Sequence, residues 1–158
     1  MKVAVIMGSK SDYPKLKDGI ELLEKFGVEV IARALSAHRT PNQLMNFLKE
    51  IEEDTDVIIA AAGKAAHLPG VIASHTLIPV VGLPIKSSTL DGMDSLLSIV
   101  QMPPGIPVAT VTIDSGLNAA LMASQIMSIK YPEIKENLII YRKEMEEKVL
   151  EADKNLRG

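Results

Sequence analysis

Three short stretches gather the side chains that could do acid–base work or hold an anion. They are Gly8-Ser9-Lys10-Ser11-Asp12, Ser36-Ala37-His38-Arg39-Thr40-Pro41 and Ala62-Gly63-Lys64-Ala65-Ala66-His67-Leu68-Pro69-Gly70. The second is the most pointed. A histidine titrates near neutrality and can pass a proton in either direction, and Arg39 beside His38 offers a two-pronged donor for phosphate or carboxylate. The plainer reading of that pair is a structural histidine at a helix entrance with a solvated arginine. In the first stretch, Gly8 permits close backbone approach, and Ser9 and Ser11 can donate hydroxyl hydrogen bonds. Free N–H groups at the start of a following helix favour an anion. Asp12 is acceptor-only when ionised, which suits sugar hydroxyls better than phosphate; equally, Ser11 or Asp12 could simply cap that helix. His67 opens another helix amid small apolar residues, where it could serve a site or a structural hydrogen bond. His75 lies in an apolar helical stretch and reads as structural.

Several familiar chemistries fail on spacing. Gly63-Lys64 resembles the end of a phosphate-binding Walker loop, but Ile58 occupies the earlier glycine position and no Ser or Thr follows Lys64. There is no Gly-x-Gly-x-x-Gly fingerprint and no Gly-x-Ser-x-Gly elbow. Histidines at 38, 67 and 75 make no recognisable zinc spacing. What remains is acid–base chemistry and anion recognition.

The elements that must position these residues are legible as alternating patterns. Val3–Met7, Val28–Leu35, Val57–Ala62, Ile78–Leu83 and Ile106–Ile113 read as buried strands, near-continuously apolar as parallel strands covered on both faces are. Leu16, Ile20, Leu23 and Phe26 recur at helical spacing, as do Leu44, Phe47, Leu48 and Ile51. Gly27 can end the first of these helices. The second starts with Thr40 as cap, Pro41 in the first turn and Gln43 completing a capping box. Strands alternating with helices imply right-handed crossovers and a three-layer α/β/α sandwich, with a flavodoxin-like parallel five-stranded sheet of order 2-1-3-4-5. The chemistry-bearing stretches then leave strands one, two and three at one rim, where ligands of open parallel sheets bind. From about 131 to 158 the chain predicts a long charged helix with the stripe Ile134, Leu138, Tyr141, Met145 and Val149. That stripe could fold back on its own domain or pack on another subunit.

Composition bounds the partners. With 158 residues, 47% of them hydrophobic and 23% charged, residues 1–158 read as a single globular domain. A formal net charge of -3 disfavours nucleic acid, and two Phe, three Tyr and no Trp leave little for base stacking. Without cysteine there are no disulfides, thiolate metal sites or cysteine nucleophiles. The apolar run Val3–Met7 is too short for a signal peptide, and no run reaches the ~18 residues of a membrane span, so the chain reads as cytoplasmic.

Four blocks carry a resemblance. Met7-Gly8-Ser9-Lys10-Ser11-Asp12, Ser36-Ala37-His38-Arg39-Thr40-Pro41, Ala65-Ala66-His67-Leu68-Pro69-Gly70 and Asp91-Gly92-Met93-Asp94-Ser95-Leu96, the last running on through Gln101-Met102-Pro103 and Gly105-Ile106-Pro107-Val108, resemble the signatures of class I N5-carboxyaminoimidazole ribonucleotide mutases. The resemblance implies a flavodoxin-like homo-octamer that isomerises a small ribonucleotide in purine biosynthesis without a cofactor. It places the catalytic histidine at His38, and substrate contacts at Ser9, Asp12, Ser36, Arg39, Gly63 and His67. It also implies that Gln101-Met102-Pro103 completes a neighbour's pocket and that the last helix is an oligomer contact. Leu68-Pro69-Gly70 after Ala65-Ala66-His67 favours the mutase class over the same-fold enzyme that carboxylates aminoimidazole ribonucleotide directly; a non-catalytic phosphosugar-sensing module is the other alternative. Two departures stand out: Lys64 where many relatives carry glycine, and a shorter segment at Asp114-Ser115-Gly116-Leu117-Asn118.

Overall fold

Alternate side chains along each central strand serve two different cores. Val3, Val5 and Met7 of β1 (Lys2–Met7), Val57, Ile59 and Ala61 of β3 (Val57–Gly63), and Val81, Leu83 and Ile85 of β4 (Val80–Ile85) belong to one. Ala4, Ile6, Ile58, Ala60, Ala62 and Val80 belong to the other. This period of two is strand geometry, and with both faces covered nothing polar interrupts it. The computed structural model describes residues 1–88 and 90–157. Its sheet is parallel throughout in the order β2-β1-β3-β4-β5, with β2 (Glu29–Ala34) and β5 (Ala109–Thr110) at the edges. The expected order and three layers are observed.

Helices α1 (Tyr13–Lys25), α5 (Gly116–Met127) and α6 (Pro132–Arg157) cover the first face, and α2 (Pro41–Ile51), α3 (Leu68–Ala73) and α4 (Met93–Val100) the second. The stripes read from the sequence are the buried ones: Leu16, Ile20, Leu23 and Phe26 on one side, Leu44, Phe47, Leu48 and Ile51 on the other. Gly27 ends α1 at φ +79°; its N–H reaches the Glu24 carbonyl at 2.9 Å and the Val28 N–H reaches Leu23 at 3.0 Å, a Schellman motif. Where α1 crosses α5, Gly19 and Gly116 bring the backbones together. A Cβ on Gly19 would strike the Gly116 carbonyl, and one on Gly116 the Lys15 carbonyl.

Three expectations need correction. The fifth strand is regular over two residues only, not over Ile106–Ile113. Pro84 of β4 accepts the Asp114 N–H at 2.9 Å on that edge but has no N–H to return, so the ladder cannot continue. β4 itself runs on to Ile85 rather than stopping at Leu83. The capping box at Thr40 and Gln43 does not form: Pro41 opens α2 as expected, but Thr40 makes no side-chain cap bond. Its hydroxyl turns back instead, accepting the Ser36 N–H at 2.8 Å and donating to the Ser36 carbonyl at 3.2 Å.

The helix expected at 131–158 is observed over Pro132–Arg157; position 158 lies outside the described residues. Ile134 and Leu138 are buried on their own domain, and Tyr141 meets Phe26 edge-on at 6.5 Å between ring centroids. Beyond that, Met145 and Val149 are 52% and 69% exposed, so only the first half of the stripe folds back. No helix among the described residues is long and apolar enough to cross a membrane.

Candidate active site

The strand tips form a step. Met7 and Ala34 end β1 and β2 level with Ala61, while β3 and β4 run two residues farther, to Gly63 paired with Ile85. The loops that follow leave the same end of the sheet and border a cavity of about 540 Å³. The β1 loop contributes Gly8, Ser9, Ser11 and Asp12; the β2 loop Ser36, Ala37, His38 and Arg39; the β3 loop Ala62, Gly63, Lys64 and Ala66, with Leu68 from α3. Six of the seven residues singled out from the sequence, Ser9, Asp12, Ser36, His38, Arg39 and Gly63, line it together.

The β1 and β2 loops are held by their own polar residues. Ser9 Oγ accepts the Ser11 N–H at 3.3 Å and Asp12 accepts the Ser9 N–H at 3.2 Å, so the capping box of this chain closes a short 3-10 turn, Lys10–Asp12, ahead of α1. Burial pushes the Asp12 carboxyl above its ordinary value, against the opposing pull of the Ser9 N–H, the Ser11 hydroxyl and Arg39. The 36–40 loop is fastened end to end by Thr40, whose N–H also bonds the Ser36 carbonyl at 2.9 Å, leaving His38 at its exposed apex. Arg39 leans across to β1, donating to the Gly8 carbonyl at 2.7 Å and to Ser36 Oγ at 3.4 Å. It thereby ties the β1 and β2 loops together.

His67 is the one singled-out residue that the structure does not bring to the cavity. It precedes α3, one ring nitrogen pairs closely with the Ser98 carbonyl, and the ring lies over Gly70, where a Cβ would collide with it. His75 follows the end of α3 and its Nδ1 lies 2.8 Å from the Val71 carbonyl. A fourth wall is formed by Ile85, the last residue of β4, and by Lys86, Ser87 and Ser88 beyond it. A strand that stops at Leu83 leaves this wall out, although the change from Ile85 to Lys86-Ser87-Ser88 marks it in the sequence. Lys86 is paired with Asp91, and its N–H bonds Asp114 at 2.8 Å. Burial raises the Asp114 carboxyl, but the Lys15 ammonium at 2.8 Å and the Lys86 N–H outweigh it and hold the group below its ordinary value. Lys64 adopts φ +58°, the left-handed backbone that glycine takes freely.

A doubly wound parallel sheet with a histidine, an arginine, two lysines, serines and an aspartate around a partly apolar hollow at its carboxyl rim places this chain among the α/β proteins that bind small ligands at that rim. The family model described as AIR carboxylase matches residues 2–148, and the chain belongs to that family. It is 58% identical to the N5-carboxyaminoimidazole ribonucleotide mutase of Pyrococcus horikoshii over 98% of this chain and 88% of that protein. Against the mutase of Thermotoga maritima the identity is 51%, covering 98% and 91%. The crystal structure of Treponema denticola PurE superposes with a TM-score of 0.91 at 30% identity, covering 99% of both chains.

Proposed function

We propose that this chain performs the reaction of the N5-carboxyaminoimidazole ribonucleotide mutases in purine biosynthesis, moving a carboxyl group from the exocyclic nitrogen to ring carbon four. The observation that carries the chemistry is the placement of His38 and Arg39 on one fastened loop, opposite the Ser9–Asp12 turn, around one cavity. Arg39, Ser36 and Ser9 hold the phosphate, Asp12 the ribose hydroxyls, and Gly63 lets the base approach the sheet. His67 acts at one remove, by fixing the start of α3 beneath the pocket wall.

The substrate is a carbamate. Its N–C bond breaks, releasing carbon dioxide, while protonated His38 gives its proton to the nitrogen. Ring carbon four of the resulting aminoimidazole, an enamine-like nucleophile, forms the new C–C bond to the same carbon dioxide. Neutral His38 then takes the proton from that carbon, so protons and carboxyl groups balance over the cycle. Ala62, Ala66, Leu68 and Ile85 supply an apolar wall against which the gas is kept from water, making recapture effectively unimolecular. A homo-octamer in which Gln101-Met102-Pro103 reaches a neighbour's cavity fits the exposed face of α4, where Met93, Leu97 and Val100 are 47%, 50% and 48% exposed. Light scattering at micromolar concentration should give eight times the chain mass; a stable monomer would refute that assembly.

The decisive experiment offers the purified protein the carbamate and, separately, the parent ribonucleotide with bicarbonate. The first should turn over; rapid use of the second alone identifies a direct carboxylase instead. His38→Asn should lose roughly 100-fold or more in rate, the usual scale of acid–base catalysis, while retaining ligand affinity. Unchanged turnover in that variant would remove His38 from the chemistry, and stabilisation by ligand without any turnover would identify a sensing module.

A further inference from the structure

Three cations border the cavity, and two are already engaged. Arg39 is bonded to the Gly8 carbonyl and to Ser36, and Lys86 is paired with Asp91. Lys64 has no carboxylate partner among the described residues, yet it lines the same hollow. It also occupies a backbone conformation that disfavours every side chain relative to glycine. Lys64 thus combines a left-handed backbone, a long cationic side chain with no ion-pair or side-chain hydrogen-bond partner among the described residues, and a place in the lining of the cavity, and a ligand anion would supply the missing partner.

Placement says which group. The Arg39 guanidinium reaches over β1 to the Gly8 carbonyl, and Lys64 follows Gly63 at the tip of the neighbouring β3, next to the residue placed against the base above. With Arg39 and the serines holding the phosphate, Lys64 lines the cavity together with Ala62, Gly63, Ala66 and Ile85, the part left for the base. We infer that Lys64 binds the carboxylate carried by the base, before and after its migration, and so sets the preference of this site for carboxylated over uncarboxylated ribonucleotide. This rests on the mutase reading above. An ammonium on a flexible stem suits that task, because it can follow a carboxyl group between two neighbouring atoms, whereas a guanidinium fork fixes one geometry.

The test is calorimetric titration of the intact protein with two stable ligands, aminoimidazole ribonucleotide and its 4-carboxylated form. Lys64→Met should weaken the carboxylated ligand by about tenfold, the scale of a partly solvated charge-assisted hydrogen bond, and leave the parent within about twofold. Lys64→Arg should recover most of the loss. Lys64→Gly, which removes the charge and relaxes the backbone together, should show the same selective loss and guards against misfolding of the Met variant. In Lys64→Met, carboxyl-labelled substrate turned over in unlabelled bicarbonate should yield product with less label. Equal weakening of both ligands, or no change in either, overturns the assignment. Failure of the mutase reading is separately visible: the unsubstituted protein would then bind both nucleotides without converting the carbamate, or bind neither.

Discussion

Arg39 is pre-positioned at two points, the Gly8 carbonyl and Ser36 Oγ, before any ligand arrives, so little side-chain freedom is left to lose on binding. Arg39→Leu should therefore weaken a ribonucleotide by about 100-fold, near the upper range of charged hydrogen bonds, while a phosphate-free nucleoside loses far less. Equal losses for both, measured by titration, would take Arg39 out of the phosphate site. Thr40 teaches a related lesson. Its type and place before Pro41 were right for a helix cap, but the hydroxyl bonds Ser36 instead. Sequence spacing identifies which hydroxyl is available; which of two nearby backbone partners it takes is decided by the loop, because both bonds have the same chemistry. The same limit applies to His67, whose residue type suits a site and whose partner, Ser98, is far away in the chain.

At the level of elements, the central strands and the first two helices were readable because burial imposes a period on them. The edges differ. β2 lies within the expected Val28–Leu35 even though it carries Arg33 over the Phe47 ring at 4.8 Å, whereas β5 lacks the return N–H at Pro84 and is cut short. The Gly19–Gly116 crossing was equally invisible, since a glycine in a helix does not announce its neighbour. It is testable: alanine gains about 1 kcal/mol of helix propensity at an open site, yet Gly19→Ala should lower stability by roughly 1–3 kcal/mol through overpacking. A stabilised variant in urea unfolding would show that the two backbones can part. The corner between α5 and α6 is pinned by Asp56, which accepts from the Lys2 N–H at 3.0 Å, the Lys130 ammonium at 2.9 Å and the Tyr131 hydroxyl at 2.9 Å. Burial would raise its pKa, but these donors more than offset that and hold the carboxyl below its ordinary value. Its contribution is thus present above pH 3.8 and lost as pH falls through the lower folded value. Asp56→Asn should cost about 1–3 kcal/mol at pH 7 and progressively less as pH falls below 3.8, read from unfolding midpoints in a pH series that starts at neutrality and descends past that value. A deficit independent of pH would assign the loss to packing.

For the molecule as a whole, the two cores do different jobs. One, with α1, α5 and α6, is closed by the Asp56 corner, which precedes β3 and so lies at the strands' amino ends, opposite the loops that line the cavity. The other supports α2 and α3, whose starts carry His38 and His67. Since neighbouring strands are hydrogen-bonded residue against residue, Met7 with Ala34 and Ala61, sliding one of them by a single step would invert its side chains and withdraw its loop by about 3.3 Å. The distance between proton carrier and phosphate anchor is therefore metered by aliphatic packing well below the ligand. Conservative trimming of residues such as Ile59 or Leu83, neither of which lines the cavity, would be felt as a loss of alignment above.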